Sequence, residues 1–99
     1  MNGYGAISKI LKKEGVEWIA CFPNNPLIEA VAKEGIRPIM FRQERGGIMA
    51  ADGYSRTMMG EKFGVFACQG GPGAENSYGG IAQAFADSVP IMFIPDGIP

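Results

Sequence analysis

The sequence contains no histidine in its 99 residues. Within these residues, this absence excludes catalytic groups that pair serine or cysteine with histidine, and metal sites built from imidazole ligands. Acid–base chemistry would have to use carboxylates, lysines, tyrosines or a bound cofactor. Cysteine is scarce as well, because only Cys21 and Cys68 are present and their spacing fits no C-x-x-C pattern. We expect two buried, reduced thiols and neither a disulfide nor a zinc site.

Long apolar runs and basic clusters are also missing. No run reaches the ~18 apolar residues of a membrane-spanning helix, and residues 1–3 lack the basic segment that opens a signal peptide. The net charge is -1, and the lysines and arginines are scattered rather than gathered in a stripe that would attract phosphates or anionic lipids. We therefore expect no nucleic-acid partner, no membrane partner and a cytoplasmic location.

Glycine, in contrast, is abundant, with 15 glycines among 99 residues, against ~7% in average proteins. Most fall between apolar segments, where they indicate tight turns. The apolar periodicity predicts helices over residues 4–14, 24–35, 44–59 and 75–86. Apolar runs predict strands over residues 16–22, 36–41, 63–68 and 89–94, and residues 70–74 read as a loop. Gly15 is placed to close the first helix, and Pro38 is typical of an edge strand.

Helices that alternate with short, nearly apolar strands predict the α/β class, with an open parallel sheet covered by helices on both faces. A four-strand unit of this size would bury only somewhat over ~60% of its unfolded surface. We therefore expect residues 1–99 to form an incomplete three-layer domain, either truncated or dependent on a partner. Ligands of such sheets bind outside the carboxyl ends of the strands. The segments to consider are then 23–26, 43–47 and 69–76.

Glu44 follows a predicted strand and opens a predicted helix, where the helix dipole favours a carboxylate. Taken alone, this position is typical of a surface carboxylate that pairs with Arg42 or Arg45. Gly46 and Gly47 change the interpretation, because two glycines in a first helical turn cost helix propensity. They make sense where another backbone or a ligand approaches closely.

The segment 69–76 places glycines between a strand and a helix, a turn that can hold an anion with backbone N–H groups. It matches neither the Walker nor the dinucleotide-binding pattern, and Pro72 removes one N–H donor. A flat, uncharged heterocycle fits this loop better than a phosphate. The turn at Asn24 and Asn25 has two open interpretations, an Asx-capped helix start with Pro26 in the first turn, or a substrate contact.

Three segments together resemble a known family. Residues 41–56, FRQERGGIMAADGYSR, resemble the glutamate helix of thiamine diphosphate enzymes of the acetolactate synthase type. Residues 71–76, GPGAEN, with 80–82 and 87–90 are similar to the second signature of that family, and residues 15–17 and 22–23 match its opening. The resemblance covers the whole chain in order and corresponds to the first part of the N-terminal, pyrimidine-binding domain.

The resemblance implies part of a 2-oxo acid lyase or carboligase with thiamine diphosphate as cofactor. Glu44 would hydrogen-bond N1′ of the aminopyrimidine and promote ylide formation. The implied cofactor-binding residues are Gly71, Pro72, Gly73, Ala74 and Asn76. The implied substrate-side residues are Pro23, Asn24, Asn25 and Gln43. The family holds Mg²⁺ and diphosphate through a Gly-Asp-Gly…Asn-Asn motif that these residues lack, so we expect no metal site here and a second subunit or domain, with dimerisation, to supply it.

The sequence departs from the family pattern at three places. Gln43 stands where many relatives have histidine, and Asn24-Asn25 replaces the glycine pair of acetolactate synthases, so the resemblance leaves the substrate open and does not imply pyruvate. Glu75 replaces a small polar residue and is expected to be a first-turn carboxylate favoured by the helix dipole. Two other functions stay open: a truncated, non-catalytic subunit that acts by protein–protein association, and a nucleotide-binding domain that would rest on the glycine loop alone.

Overall fold

A computed structural model describes residues 2–97 of the chain. The helices are α1 (Gly3–Lys13), α2 (Asn25–Lys33), α3 (Glu44–Met58), α4 (Pro72–Asn76) and α5 (Tyr78–Ala86). The strands are β1 (Trp18–Phe22), β2 (Arg37–Met40), β3 (Gly64–Cys68) and β4 (Ile91–Pro95). Of the helices in this part of the chain, none is long and apolar enough to cross a membrane.

The four strands form one parallel sheet in the order β2-β1-β3-β4. Ala20 of β1 pairs with Ile39 of β2 on one side and with Phe66 of β3 on the other. β2 is an edge of the described sheet, which explains why Pro38, with no N–H to donate, is accommodated there. The chain turns back between β1 and β3, so the crevice at their carboxyl ends is the topological switch point of the sheet.

Helices cover both faces of the sheet, as predicted. On one face, α1 and α2 pack on a core that includes Leu11, Ile19, Leu27, Val31 and Val65. On the other face, α3 and α5 pack on a second core made of Ala20, Ile48, Ala51, Phe66 and Cys68. The α/β fold with an open parallel sheet and helices on both faces is therefore confirmed.

Helix α3 lies unusually close to the sheet because glycines stand at its contact points. A Cβ on Gly64 of β3 would lie 2.1 Å from the carbonyl oxygen of Ala51, and a Cβ on Gly47 would lie 2.3 Å from Cε1 of Phe66. The close approach expected at Gly46 and Gly47 was predicted to involve another backbone or a ligand, and this was wrong. The group that approaches Gly47 is the ring of Phe66, rather than a backbone or a ligand, and Gly46 is exposed.

The boundary between the glycine loop and the following helix also differs from the prediction. The loop was expected over residues 70–74 and one helix over 75–86, but α4 begins at Pro72 and the helix is interrupted at Ser77. Proline is well suited to a first helical position, because its fixed φ is already helical and its missing N–H is not needed there. The Ser77 hydroxyl donates to the carbonyl of Gly73 at 2.8 Å, a local bond that competes with a regular helix.

Of the two interpretations left open for Asn24, the Asx cap of α2 is not found. Asn24 occupies the N-cap position, but its side chain makes no capping hydrogen bond. Its Nδ2 instead donates to the carbonyl oxygen of Cys68 at 3.4 Å, at the end of β3. The long-range partner prevails because the parallel strands bring the ends of β1 and β3 together, which the local sequence does not reveal.

An ion-pair network ties the last turn of α3 to the end of α5. Arg56 donates to the buried carboxylate of Asp52 on its own helix and to Asp87, at 2.8 Å, after α5. These hydrogen bonds, the one to Asp52 first, raise the pKa of Arg56 above its ordinary value. The network fixes the two helices on the same face of the sheet.

The close packing of α3 predicts opposite effects for two glycines of that helix. Gly47→Ala should lower the free energy of unfolding by about 1–3 kcal/mol, because the added methyl group overlaps the ring of Phe66. Gly53→Ala is the matched control, since a Cβ there meets nothing within 4 Å, and it should raise stability by up to about 1 kcal/mol through helix propensity. Urea unfolding of both variants is the measurement, and a stable Gly47→Ala protein would contradict the packing.

The burial of Cys21 predicts a dependence of stability on alkaline pH. Burial raises the pKa of this thiol from 9.0 to about 11. Between these values the unfolded thiol loses its proton while the folded one keeps it, so the free energy of unfolding should fall as the pH rises from 9 to 11. Cys21→Ala should make this fall shallower in pH-dependent unfolding curves. Parallel curves for the two proteins would disprove the contribution of Cys21.

Candidate functional site at the carboxyl ends of the strands

Glu44 is the first residue of α3 and only 5% of it is exposed. Its Oε1 accepts a hydrogen bond from Nδ2 of Asn76 at 3.2 Å. Within residues 2–97, neither Arg42 nor Arg45 forms a salt bridge with it. The surface ion pair that the isolated position suggested is therefore not what the structure contains, and Glu44 is a buried carboxylate at the end of the sheet.

The second carboxylate oxygen of Glu44 faces Gly73. A Cβ on Gly73 would lie 3.3 Å from Oε2 of Glu44, 3.0 Å from Cγ of Gln69 and 3.5 Å from Sγ of Cys68. No group in the described part of the chain forms a hydrogen bond with Oε2. One oxygen of this carboxylate thus accepts from an amide, and the other lies close to Gly73, where a side chain would be crowded.

The same turn also requires glycine at position 71, for a reason of backbone conformation. Gly71 has φ 62 and ψ -116, a conformation that side-chain-bearing residues avoid. The turn leads into Pro72 and Ala74, and an open depression is lined by Gly71, Pro72, Ala74, Glu75 and Tyr78. This lining contains a carboxylate and no basic side chain, so its charge is unfavourable for a phosphate.

Ser77 and Cys68 lie against this turn, and neither was predicted from the sequence as a site residue. The Ser77 hydroxyl, which donates to Gly73, lies 3.8 Å from Sγ of Cys68. Burial raises the pKa of the Cys68 thiol, with a smaller contribution from the nearby charge of Glu44. The spacing of four residues between Gly73 and Ser77 was the available signal, since a serine hydroxyl in a helix can bond the carbonyl four residues earlier.

Asn24 contributes a buried polar atom at the same strand ends. Only 4% of Asn24 is exposed, and its Oδ1 has no hydrogen-bond partner among residues 2–97. Because a carbonyl can only accept, the amide nitrogen must face Cys68 and the oxygen must face away from it. Pro23 is half-buried, while Asn25 and Gln43 are exposed. No hydrogen bond connects these last two side chains to Glu44 in the described residues.

The set of groups fits an aminopyrimidine better than a metal ion or a phosphate. It offers a buried carboxylate with one open oxygen, a glycine without a side chain beside it, and an unpartnered amide oxygen nearby. The amino group of an aminopyrimidine can donate to such acceptors, and a ring nitrogen can share a proton with the carboxyl group. No cluster of three or more histidine, cysteine, aspartate or glutamate side chains that could hold a metal ion occurs between residues 2 and 97.

Comparison with known proteins relates the chain to one enzyme family. Residues 1–99 match the family described as "Thiamine pyrophosphate enzyme, N-terminal TPP binding domain", where thiamine pyrophosphate is another name for thiamine diphosphate. The chain is 34% identical over 102 residues to a chloroplastic acetolactate synthase of Arabidopsis thaliana, covering 99% of the chain and 15% of that protein. It is 39% identical over 95 residues to an acetolactate synthase large subunit of Lactococcus lactis, covering 92% of the chain and 16% of that protein.

Solved structures support the fold alone, because the identities are low. The benzoylformate decarboxylase of Polynucleobacter necessarius superposes with a TM-score of 0.77 at 21% identity, over 97% of this chain and 18% of that one. The 2-oxoglutarate:ferredoxin oxidoreductase of Magnetococcus marinus gives a TM-score of 0.63 at 22% identity, over 100% of this chain and 18% of that one.

The chain thus spans about one sixth of the length of the sequence relatives that it matches, 15–17% in the alignments with plant and bacterial acetolactate synthases. The family match extends over every residue of the chain, and in the fold Glu44 of the glutamate helix contacts Asn76 and lies close to Gly73 of the glycine turn. This chain belongs to the thiamine diphosphate-dependent enzyme family, and it corresponds to sequence of the N-terminal cofactor-binding domain of that family.

Proposed function

We propose that this chain forms the aminopyrimidine half of a thiamine diphosphate site in a 2-oxo acid lyase or carboligase, with Glu44 as its catalytic residue. The observation that carries the proposal is the state of the Glu44 carboxylate. It is buried, its Oε1 is held by Asn76, and its Oε2 is open beside Gly73. Relatives named acetolactate synthase, at 34–39% identity, support the reaction class.

The role of Glu44 follows from its surroundings. A carboxyl group shielded from water can hold a proton between its oxygen and a ring nitrogen, here N1′ of the aminopyrimidine, without competition from solvent. Oε2 is the oxygen available for this contact, because Asn76 occupies Oε1. When bound, thiamine diphosphate supplies the nucleophilic carbon of the reaction, and the chain contributes the position and protonation of the ring.

The glycine turn has a different role from Glu44. Gly71, Pro72 and Ala74 line an open depression, Pro72 and Ala74 being apolar, while the buried Gly73 lies beside Oε2 of Glu44. A flat ring can pack on such a surface and reach Oε2 of Glu44 only if residue 73 has no side chain. The turn therefore sets the distance between the ring and the carboxylate.

The remaining requirements of the cofactor point to a second subunit or domain. The lining of the depression contains no basic group, and the described residues contain no cluster of metal-ligand side chains. Diphosphate with Mg²⁺ needs oxygen ligands and positive charge. We propose that another domain, in the same protein or in a dimer partner, binds these groups, and that Pro23, Asn24, Asn25 and Gln43 face the substrate.

The substitution Glu44→Gln tests the catalytic role in the full-length protein loaded with thiamine diphosphate and Mg²⁺. It keeps the shape of the side chain but cannot exchange a proton with N1′, so the exchange of the C2 proton should slow by about 10²–10⁴-fold. The measurement is deuterium exchange at C2, followed by NMR after acid quench.

Glu61→Gln is the matched control, because Glu61 is exposed and lies outside the site. It should exchange at the rate of the unchanged protein. Normal exchange in Glu44→Gln would overturn the catalytic role, and a protein that binds no cofactor at all would favour the associating, non-catalytic subunit instead.

Gly73→Ala tests whether the open position beside Oε2 receives the ring. The added methyl group would lie 3.3 Å from Oε2 and 3.0 Å from Cγ of Gln69, so the dissociation constant of thiamine diphosphate should rise by about tenfold or more. Gly79→Ala is the control, since a Cβ there meets nothing within 4 Å. Cofactor titration by tryptophan fluorescence or calorimetry measures both, and equal affinities would contradict the packing of the ring on this turn.

A further inference from the structure

The amide of Asn76 donates a hydrogen bond to the carboxylate of Glu44, and it is the donor to that carboxylate found among residues 2–97. The two residues are 32 positions apart, and they meet because α4 and the start of α3 lie at the same end of the sheet. A carboxylate oxygen accepts hydrogen bonds, so the nitrogen of the Asn76 amide faces Oε1 and its oxygen faces away. The contact therefore joins a specific atom of Asn76 to a specific atom of Glu44.

This contact makes the two oxygens of Glu44 inequivalent. Without it, the carboxylate could turn about its last bond to orientations in which no oxygen faces Gly73, since that torsion is broad. The hydrogen bond from Nδ2 of Asn76 to Oε1 restricts this rotation. The oxygen that stays open is then always the one beside Gly73.

Helix α4 presents both features to Glu44 at once. Gly73 and Asn76 are three residues apart, so they lie on the same side of this short helix. The Ser77 hydroxyl bonds the carbonyl of Gly73 at 2.8 Å, and the N–H of Ser77 bonds the carbonyl of Ala74 at 3.1 Å. These bonds end α4 at Asn76 and hold it against the carboxylate.

We propose that Asn76 is a positioning residue that acts through Glu44. It fixes Oε1 so that Oε2 faces the aminopyrimidine, and this inference rests on the function proposed above for Glu44. The resemblance grouped Asn76 with the residues that contact the cofactor, whereas the geometry points to an effect on the cofactor through Glu44. Asn76 itself is exposed, so its removal should change the packing of the core little.

The test uses the full-length protein with bound thiamine diphosphate and Mg²⁺. Asn76→Ala removes the donor, and Asn76→Asp keeps the shape but replaces the donor with a second carboxylate. Exchange of the C2 proton should slow by about 10–100-fold in Asn76→Ala and at least as much in Asn76→Asp. The dissociation constant of the cofactor and the midpoint of thermal unfolding should stay unchanged in Asn76→Ala.

Gln83→Glu is the control for the charge change, because Gln83 is exposed on α5 and takes no part in the site. It should leave the exchange rate unchanged. An Asn76→Ala protein that loses cofactor affinity or thermal stability in proportion to its rate would overturn the positioning role, since a direct contact or a structural role would then account for the loss.

A double-mutant cycle separates this inference from the proposed function. If Asn76 acts through Glu44, then Glu44→Gln combined with Asn76→Ala should be no slower than Glu44→Gln alone. Additive losses would overturn the positioning role while leaving the catalytic role of Glu44 intact. Unchanged exchange in Glu44→Gln would overturn the proposed function and the positioning role with it.

Discussion

The close approach of α3 to the sheet is the constraint on which the site depends. The helix backbone at Ala51 reaches β3 because Gly64 has no side chain, and the first turn reaches Phe66 because Gly47 has none. A third glycine, Gly80 of α5, accommodates Ile48, since a Cβ there would lie 2.3 Å from Cγ2 of that residue. The depth of α3 determines where its first residue lies, and that residue is Glu44.

This depth explains how a carboxylate becomes buried at a helix start. A glutamate in a first turn is ordinarily solvated and favoured by the helix dipole. Here the helix is lowered onto β3, whose last residue, Cys68, leads into the turn that carries Gly73 and Asn76. The turn therefore closes over the carboxylate from the side, shielding it from water while leaving one oxygen open. The glycines in the sheet contact and the glycine in the turn act together, although they lie far apart in the sequence.

The fold class and local features could be predicted from the sequence, whereas individual tertiary contacts could not. Gly15 was expected to close the first helix, and it has φ 86 after the last residues of α1. Pro38 was expected at an edge, and β2 is one. These depend on neighbours a few residues away. The Asx cap at Asn24 was not found and the expected partner of Gly47 was wrong, because each is decided by β3, which lies more than ten residues away along the chain.

The candidate site shows the same division. Glu44 and the turn at Gly71–Ala74 were identified from their surrounding sequence and from a family resemblance, since such motifs are contiguous. The hydrogen bond between Asn76 and Glu44 was not predicted, because the two residues are 32 positions apart and their contact depends on where α4 ends. That end is set by Ser77, whose hydroxyl bond to Gly73 was also missed. A sequence motif indicates which residues belong to a site but not which of them touch each other.

The unpartnered acceptors at the strand ends connect stability to ligand binding. Oδ1 of Asn24 is buried with no donor in residues 2–97, and a buried polar atom in that state costs about 1–3 kcal/mol. Oε2 of Glu44 has no donor in the same part of the chain. Both atoms lie at the switch point, where such sheets bind ligands. A group that donates a hydrogen bond to Oδ1 of Asn24 would recover this cost, which would add to the affinity of that group. A fully satisfied strand end would be more stable, but it would have less to gain from binding a ligand.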